Sequence, residues 1–456
     1  MLVAALVSVM YQEWATAGWI ALSALITTAT GFALWKLFDR PGELSTREGF
    51  AAVALSWIAI GLLGSLPYLL TGSITNVTDA VFESVGGFTT TGSSVIPDPG
   101  LLPHGIQFWR SFTQWLGGMG IIVLSIAILP LLGMGAVQLA RAESPGPTPD
   151  RLTPRFKETA KRLWVVYFVL TGAQVLLLWV GDMTLFEAIN HSLTTLSTGG
   201  YSTNAGSLGA FSSYSQWIVI VFMIMAGTSF AIHYRAARSP SAYWKTTEVR
   251  VYLGVMAAAA AVIAIGTWGG SIHNVIRDAI FTAATLITTT GFGTADFGLW
   301  KPALQIMIVG LMFVGGCAGS TGGSMKVMRM LIGLRSAFRE ARLIFSPNTM
   351  MAVFVGGKSV PDAIVRSVAG FFILYLSIWG AGTLLLSISG PDLVTSATAS
   401  AATLGNIGPG LAMVGPTQNF AFFSGWDKAL MVLLMWMGRL EIYSIVALFS
   451  RAFWRP

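Results

Sequence analysis

Long apolar runs recur along the 456-residue chain, and the polar stretches between them alternate in kind. Runs of roughly 20 residues, enough for a helix to cross a bilayer, lie near 16–37, 50–71, 106–132, 163–181, 216–234, 251–268, 302–314 continuing towards 332, 366–389 and 427–450. Every second connection is basic: 22 of the 27 Lys and Arg residues fall in 36–49, 141–162, 235–250, 326–366 and 451–456. Basic connections stay in the cytoplasm, so the intervening ones, rich in Thr and Gly, face outward. Ahead of these runs, 1–10 is apolar but too short to span, and its flank lacks the basic start and small-residue cleavage site of a signal peptide. A truncated or tilted first helix is expected there, forming a helical hairpin with the next run and placing Trp14 and Trp19 at the outer interface.

Composition agrees with the pattern. The chain is 54% hydrophobic and 10% charged, with mean hydropathy +0.69, whereas a soluble domain carries about 25% charged residues. It is read as an all-α polytopic membrane protein. The net charge of +7 is accounted for by topology, so nucleic acid is not the expected partner; membrane lipid is. The single Cys317 excludes an intrachain disulfide and a Cys-based zinc site. His104, His191, His233 and His273 have neither metal-ligand nor catalytic-triad spacing. No clustered acid–base or metal residues lie in the apolar runs, so no enzyme and no organic cofactor is expected.

Four outward connections carry the same short pattern: Thr90-Thr91-Gly92, Thr198-Gly199-Gly200, Thr289-Thr290-Gly291 and Thr403-Leu404-Gly405. Thirteen residues before the last glycine of each stand Asp79, Glu187, Asp278 and Asp392. The first and third copies extend further, Ser73–Phe82 matching Ser271–Phe281 with one inserted residue. Each copy reads as span, acidic start, a half-membrane helix of about a dozen residues, Thr-x-Gly, span. The acid stabilises the helix N-terminus by a few tenths to about 1 kcal/mol, while the carbonyl end points inward and favours a cation. A partly dehydrated K+ needs backbone carbonyls in place of its water, and glycine permits the backbone that presents them. Non-helical backbone at this depth is tolerated only beside a water-filled path or inside protein. One Thr-x-Gly alone could be helix packing; four at one acidic offset indicate pseudo-symmetric membrane-pore-membrane repeats around a central ion pore.

Residues 315–323 hold five glycines within an apolar run, each costing about 1 kcal/mol relative to Ala in a helix. A break in the second long helix of the third repeat is therefore expected, with a close-packing helix face as the alternative. No Gly-Lys-Ser/Thr ends the stretch and no strand precedes it, so it is not a phosphate-binding loop. Arg439 falls midway along the last run, where a buried cation costs about 3 kcal/mol or more. It must be paired, with Glu441 or another carboxylate, or face the pore. Lys326 reads as a topology anchor or a gate residue. Arg335, Arg339 and Arg342 share a helical face suited to lipid headgroups or to a partner. His191 lies in a half-membrane helix, where it could report pH.

The four motifs, together with Gly315-Gly316-Cys317-Ala318-Gly319-Ser320-Thr321-Gly322-Gly323-Ser324-Met325-Lys326 and Gly438-Arg439-Leu440-Glu441-Ile442, resemble the Trk/Ktr/HKT superfamily of potassium transporters, most closely its bacterial TrkH branch, over nearly the whole chain. The resemblance implies one filter glycine per repeat, at Gly92, Gly200, Gly291 and Gly405. It also implies K+ as the transported ion, with Gly rather than Ser at position 92 favouring K+ over Na+. Ser93 and Asn406 depart from the aromatic that follows the glycine in repeats 2 and 3. The glycine-rich stretch becomes a mobile intramembrane gate hinged at Gly315, Gly316, Gly319, Gly322 and Gly323 with Ser320 and Thr321 as polar wall. Arg439 becomes an electrostatic barrier below the filter, and Lys326 belongs to the same motif. A homodimer, a cytosolic nucleotide-binding regulatory ring and a multi-pass location in the bacterial inner membrane are further implications.

The expected organisation is a hairpin in 1–45, repeat 1 in 46–140, a cytoplasmic linker in 141–162, repeat 2 in 163–238, repeat 3 in 239–345 and repeat 4 in 346–456. Potassium uptake is the leading function. A sodium/potassium transporter, or a secondary transporter running H+ or Na+ symport, is the alternative, although inverted repeats would orient the two halves oppositely and the basic connections do not.

Overall fold

A computed structural model describes residues 1–38, 46–128, 153–269, 271–346, 349 and 351–448. Of the expected linker 141–162, residues 141–152 with the Pro-rich stretch from Ser144 lie outside the described residues, as do the basic residues of 39–45 and 451–456, and 153–162 is instead the start of the helix Thr153–Val180. The chain is an all-α polytopic membrane protein of four repeats, each built from a first long helix, a short helix and a second long helix. The short helices are Val77–Phe88, Leu185–Leu196, Ile272–Ile287 and Leu393–Leu404. An N-terminal pair, Leu2–Met10 and Trp14–Phe38, precedes the repeats. It packs on repeat 1, where Glu13 accepts hydrogen bonds from the backbone N–H of His104 (2.8 Å) and Gly105 (3.2 Å) at the start of the helix His104–Ile128.

The second long helices of repeats 2, 3 and 4 are broken, whereas that of repeat 1, His104–Ile128, is continuous. Among the described residues five helices are long and apolar enough to span: Trp14–Phe38, Ala51–Leu70, Glu158–Val180, Thr247–Gly266 and Asp362–Ser387. The run near 216–234, read as one span, is instead Ser213–Ala226 and Phe230–Ala236, bent by 102°. In repeat 3 the helix stops at Met312 and resumes at Val327, the break expected from the glycines. In repeat 4 it stops at Arg439 and resumes at Tyr443. Lipid cannot satisfy an opened backbone, so breaks belong where protein can. Those of repeats 2 and 3 satisfy each other: Cys317 N–H donates to Gly227 O (2.8 Å) and Phe230 N–H to Gly319 O (3.1 Å).

The starts of the short helices correct the acidic offset. Asn76 caps the first, accepting from Thr78 and Asp79 N–H; Thr184 and Glu187 form a reciprocal capping box on the second; Asp392 caps the fourth, accepting from Val394 and Thr395 N–H. Asp79 and Glu187 thus stand at the third helical position, whereas Asp392 is the cap itself. Asp278 is the seventh residue of its helix, paired with Arg277 at 3.1 Å, not a first-turn residue. Removing the cap by Asp392→Ala is expected to cost about 1 kcal/mol, read as a lower thermal midpoint of the detergent-solubilised protein.

Among the described residues the all-α fold carries one small exception, an antiparallel hairpin of Val353–Val355 and Lys358–Val360 at the start of repeat 4. Its valines pack with Ile332, Ile364, Val365 and Val368. Arg335 donates to the carbonyl of Phe354, and Arg339 pairs with Asp362 (2.6 Å) and Glu340 (2.8 Å). Two of the three arginines expected to face lipid headgroups or a partner are therefore engaged within the chain, by the hairpin and by the start of the helix that follows it.

Candidate functional site

The ends of the four short helices meet, and the backbone conformation identifies the equivalent residues. Thr90, Thr198, Thr289 and Asn406 have φ of +52°, +55°, +60° and +52°, and two residues later Gly92, Gly200, Gly291 and Gly408 have φ of +78°, +78°, +85° and +105°. The fourth segment is Asn406-Ile407-Gly408, not Thr403-Leu404-Gly405. Gly405 is a right-handed helix end with φ −80°, and Thr403 and Leu404 lie in the helix itself. The shift follows from the cap. Asn76, Thr184 and Asp392 each precede by sixteen residues the glycines Gly92, Gly200 and Gly408; the thirteen-residue offset ending at Gly405 counted from a cap rather than from a third helical position. Asn406 accordingly replaces a threonine, and Pro409, not Asn406, follows the fourth glycine.

Contacts between these segments run round a closed cycle. A Cβ on Gly92 would lie 2.1 Å from Gly199 O, on Gly200 2.0 Å from Thr290 O, on Gly291 2.1 Å from Ile407 O, and on Gly408 3.0 Å from Thr91 O. Each glycine thus backs onto the carbonyl that precedes the glycine of the next repeat, and the last returns to the first. Positive φ and a carbonyl at these distances together require residues without a side chain. Side chains close the joint between repeats 4 and 1: Ser93 Oγ donates to Gly408 O (2.9 Å) and Asn406 Nδ2 to Thr91 Oγ1 (2.9 Å).

Directly against the ring lies the glycine-rich loop. Thr321 Oγ1 donates to Leu196 O (3.0 Å) and Ala226 O (3.2 Å), Gly323 N–H to Thr289 Oγ1 (2.7 Å), and Ser324 N–H to Gly405 O (3.0 Å). The loop thereby touches the ends of the short helices of repeats 2, 3 and 4. A Cβ on Gly323 would sit 2.2 Å from Gly405 O, so only glycine allows this approach. Gly315 and Gly319 take φ of +75° and +77°, while Gly316 and Gly322 lie close to Gly227 O and Thr288 O. Ser320 turns into the loop, donating to Cys317 O (2.6 Å).

Arg439 is 2% exposed and makes no ion pair among the described residues. Nη1 donates to Thr321 O (2.9 Å) and Nη2 to Gly117 O (3.0 Å), so the guanidinium bridges the loop to the second long helix of repeat 1. The pairing with Glu441 is excluded because Glu441 binds Lys326 (3.0 Å) and Arg329. Lys326 is consequently buried and ion-paired, not an exposed topology anchor. Strain gathers here: Ser324, Lys326 and Glu441 have φ of +58°, +68° and +62°, conformations that cost about 1–3 kcal/mol each and persist only where the surroundings impose them.

Three groups escaped the sequence reading. Glu248, at the start of Thr247–Gly266, accepts from Ala318 N–H (2.7 Å) and so ties the loop to that helix. Glu83 and Arg110 are buried beside the ring as an ion pair at 2.8 Å. Each is a charge within an apolar segment, a signal that sequence alone offers, but their meeting is tertiary. His191, by contrast, is fully buried, with Nε2 3.0 Å from Ser202 Oγ.

The chain matches the profile of the TrkH family, described as cation transport protein, over residues 18–254 and 270–455. It is 37% identical to the Trk system potassium uptake protein TrkH of Salmonella typhimurium, the alignment covering 100% of this chain and 96% of that protein. The TrkH protein of Halomonas elongata is 41% identical over 94% of this chain and 91% of its own length. The crystal structure of the potassium transporter TrkH from Vibrio parahaemolyticus superposes with a TM-score of 0.92 at 36% identity, covering 100% of this chain and 96% of that one.

Proposed function

Because the chain belongs to the TrkH family of cation transport proteins, we propose that it takes up potassium across the bacterial inner membrane through the ring of Thr90–Gly92, Thr198–Gly200, Thr289–Gly291 and Asn406–Gly408. The observation that carries this reading is the closed cycle of glycine-to-carbonyl approaches. Four backbone strands brought this close, with the carbonyl ends of four half-membrane helices beneath them, offer a cation oxygen ligands in place of its hydration shell. The bulkier hydration of smaller cations is then not compensated.

Below the ring, the loop from Gly315 to Gly323 with Arg439 and the Lys326–Glu441–Arg329 cluster acts as the gate. Thr321 and Gly323 hold the loop against the short helices, and Arg439 supplies a fixed positive charge on the ion's route. Two copies of the chain form a homodimer, each with its own pore, and a cytosolic nucleotide-binding ring biases the gate from the side of the basic connections. Support for the gate is the concentration of hydrogen bonds and positive-φ residues at one level of the molecule.

Expression in a bacterium lacking its own potassium uptake systems tests the function. Growth at low external K+ and K+ influx exceeding Na+ influx are the expected results. Na+ flux without rescue by K+ would overturn the proposed ion, and K+ influx that stops when the Na+ or proton gradient is collapsed would favour symport over a channel.

A further inference from the structure

Glu83 and Arg110 lie behind the ring, not below it. Glu83 is 0% and Arg110 2% exposed, and Arg110 Nε donates to Glu83 Oε1 at 2.8 Å. The carboxylate also accepts from Ser94 Oγ (3.0 Å to each oxygen) and from Val95 N–H (3.0 Å), in the strand that leaves the first ring segment. Arg110 reaches onward to the second: Nη2 donates to Ser94 Oγ (3.2 Å), Nη1 to Ser202 O (3.4 Å), and the guanidinium stacks 4.2 Å over the Tyr201 ring. The Tyr201 hydroxyl returns a hydrogen bond to Glu83 O (2.9 Å). One ion pair therefore fastens together the strands that follow Gly92 and Gly200.

The other repeats show that this is not a general requirement of the fold. Nine residues before each ring glycine stand Glu83, His191, Thr282 and Ala399, and two residues after it stand Ser94, Ser202, Gly293 and Gly410. Repeat 2 makes a neutral version of the same link, His191 to Ser202 at 3.0 Å. Repeats 3 and 4 have glycine at the receiving position and cannot form it through a side chain. Neutral contacts hold the other strands, Leu411 N–H donating to Thr398 Oγ1 (2.9 Å) in repeat 4 and Gly293 N–H to Ser207 Oγ (3.2 Å) in repeat 3, whereas the charged brace joins repeats 1 and 2. A buried pair contributes little to stability compared with apolar packing, so its retention beside two strands of the ring points to positioning.

We infer that Glu83 and Arg110 are positioning residues for ion selectivity: by fixing the strands after Gly92 and Gly200, they keep the ring from contracting around a cation smaller than K+. The inference rests on the proposal that the ring selects the ion. Neither residue touches the ring carbonyls; each acts through Ser94, Val95, Tyr201 and Ser202.

The test uses the full-length protein in liposomes, with K+ and Na+ fluxes measured separately and thermal midpoint and gel-filtration profile recorded for each variant. Glu83→Gln is expected to lower the K+/Na+ flux ratio by about tenfold, the smaller end of what removing a group that orients ion ligands costs, chiefly by raising Na+ flux. Glu83→Asp should restore part of the ratio. Ser94→Ala keeps the ion pair and removes only the hydroxyl between its partners; it should lower the ratio by a smaller factor and decides the matter if Glu83→Gln does not fold. Gly92→Ser is run in parallel. If it alters the ratio while folded Glu83 and Ser94 variants keep the wild-type value, the positioning role is wrong and the ring still selects. If none of them alters it, the ring assignment falls as well.

Discussion

Gly92→Ser is expected to reduce discrimination between K+ and Na+ by at least about tenfold, corresponding to roughly 1.4 kcal/mol. A Cβ at position 92 would lie 2.1 Å from Gly199 O, and the residue's φ of +78° is one that L side chains rarely adopt. Backbone cannot move aside as a flexible side chain does, so the two strands must separate and the carbonyl spacing of the ring changes. Gly408→Ser is expected to act in the same sense, because its φ of +105° is equally unsuited to serine. Gly405→Ser should affect mainly stability, since Gly405 is helical at φ −80° and a Cβ there meets the flexible end of Ile407 at 2.8 Å. Paired K+ and Na+ fluxes in the three variants check the register directly: a loss of selectivity at 405 with none at 408 would restore the fourth segment to Thr403-Leu404-Gly405.

Arg439→Ala is expected to raise K+ flux, by about tenfold or more in the absence of any activating partner. A guanidinium about 5 Å from a passing cation repels it by roughly 3 kcal/mol at an effective dielectric constant of about 20. Truncation also frees Thr321 O and Gly117 O, the two carbonyls through which Arg439 fastens the loop to repeat 1. Arg439→Lys separates the two contributions, retaining the charge while losing the planar fork that reaches both carbonyls. Flux raised by alanine but not by lysine indicates an electrostatic barrier; flux raised by both indicates a mechanical latch. Wild-type flux from a folded Arg439→Ala protein with an unchanged thermal midpoint would remove this residue from the gate.

The sequence was most informative where one constraint repeats. Apolar runs bounded by basic connections declare helices and their orientation, because the bilayer imposes both on any chain that crosses it. Three of the four ring segments were legible because Thr-x-Gly itself recurs in them; the thirteen-residue spacing runs from the third helical position in repeats 1 and 2, but in repeat 3 it starts from the seventh residue of a longer helix. The fourth was misread by three residues. Asp392 resembles Asp79 and Glu187 chemically, yet it caps its helix instead of following the cap, and only the backbone reveals the difference.

The breaks tell the same story. Five glycines between 315 and 323 announce a broken helix, whereas Gly227-Thr228-Ser229 and Leu440-Glu441-Ile442 give weaker local signals and were read as continuous spans. Those helices open because partners elsewhere satisfy the freed backbone groups, as Cys317 N–H and Gly319 O do for Gly227 O and Phe230 N–H of the second repeat. Likewise a lone Arg439 in an apolar run demanded partners, but sequence proximity suggested Glu441, which the fold gives to Lys326 and Arg329.

By itself, then, the sequence determined the polytopic helical character, the number of repeats and the residue types from which a cation site could be made, since these follow from local hydropathy and conformational freedom. The tertiary structure alone decided the register of the fourth segment, the partners of every buried charge and the closure of four strands into one ring. The register turns on which residue caps the helix, a matter of backbone conformation; the ring and the gate depend on approaches between residues more than a hundred positions apart, such as Ser93 to Gly408 and Arg439 to Gly117, for which no local pattern exists.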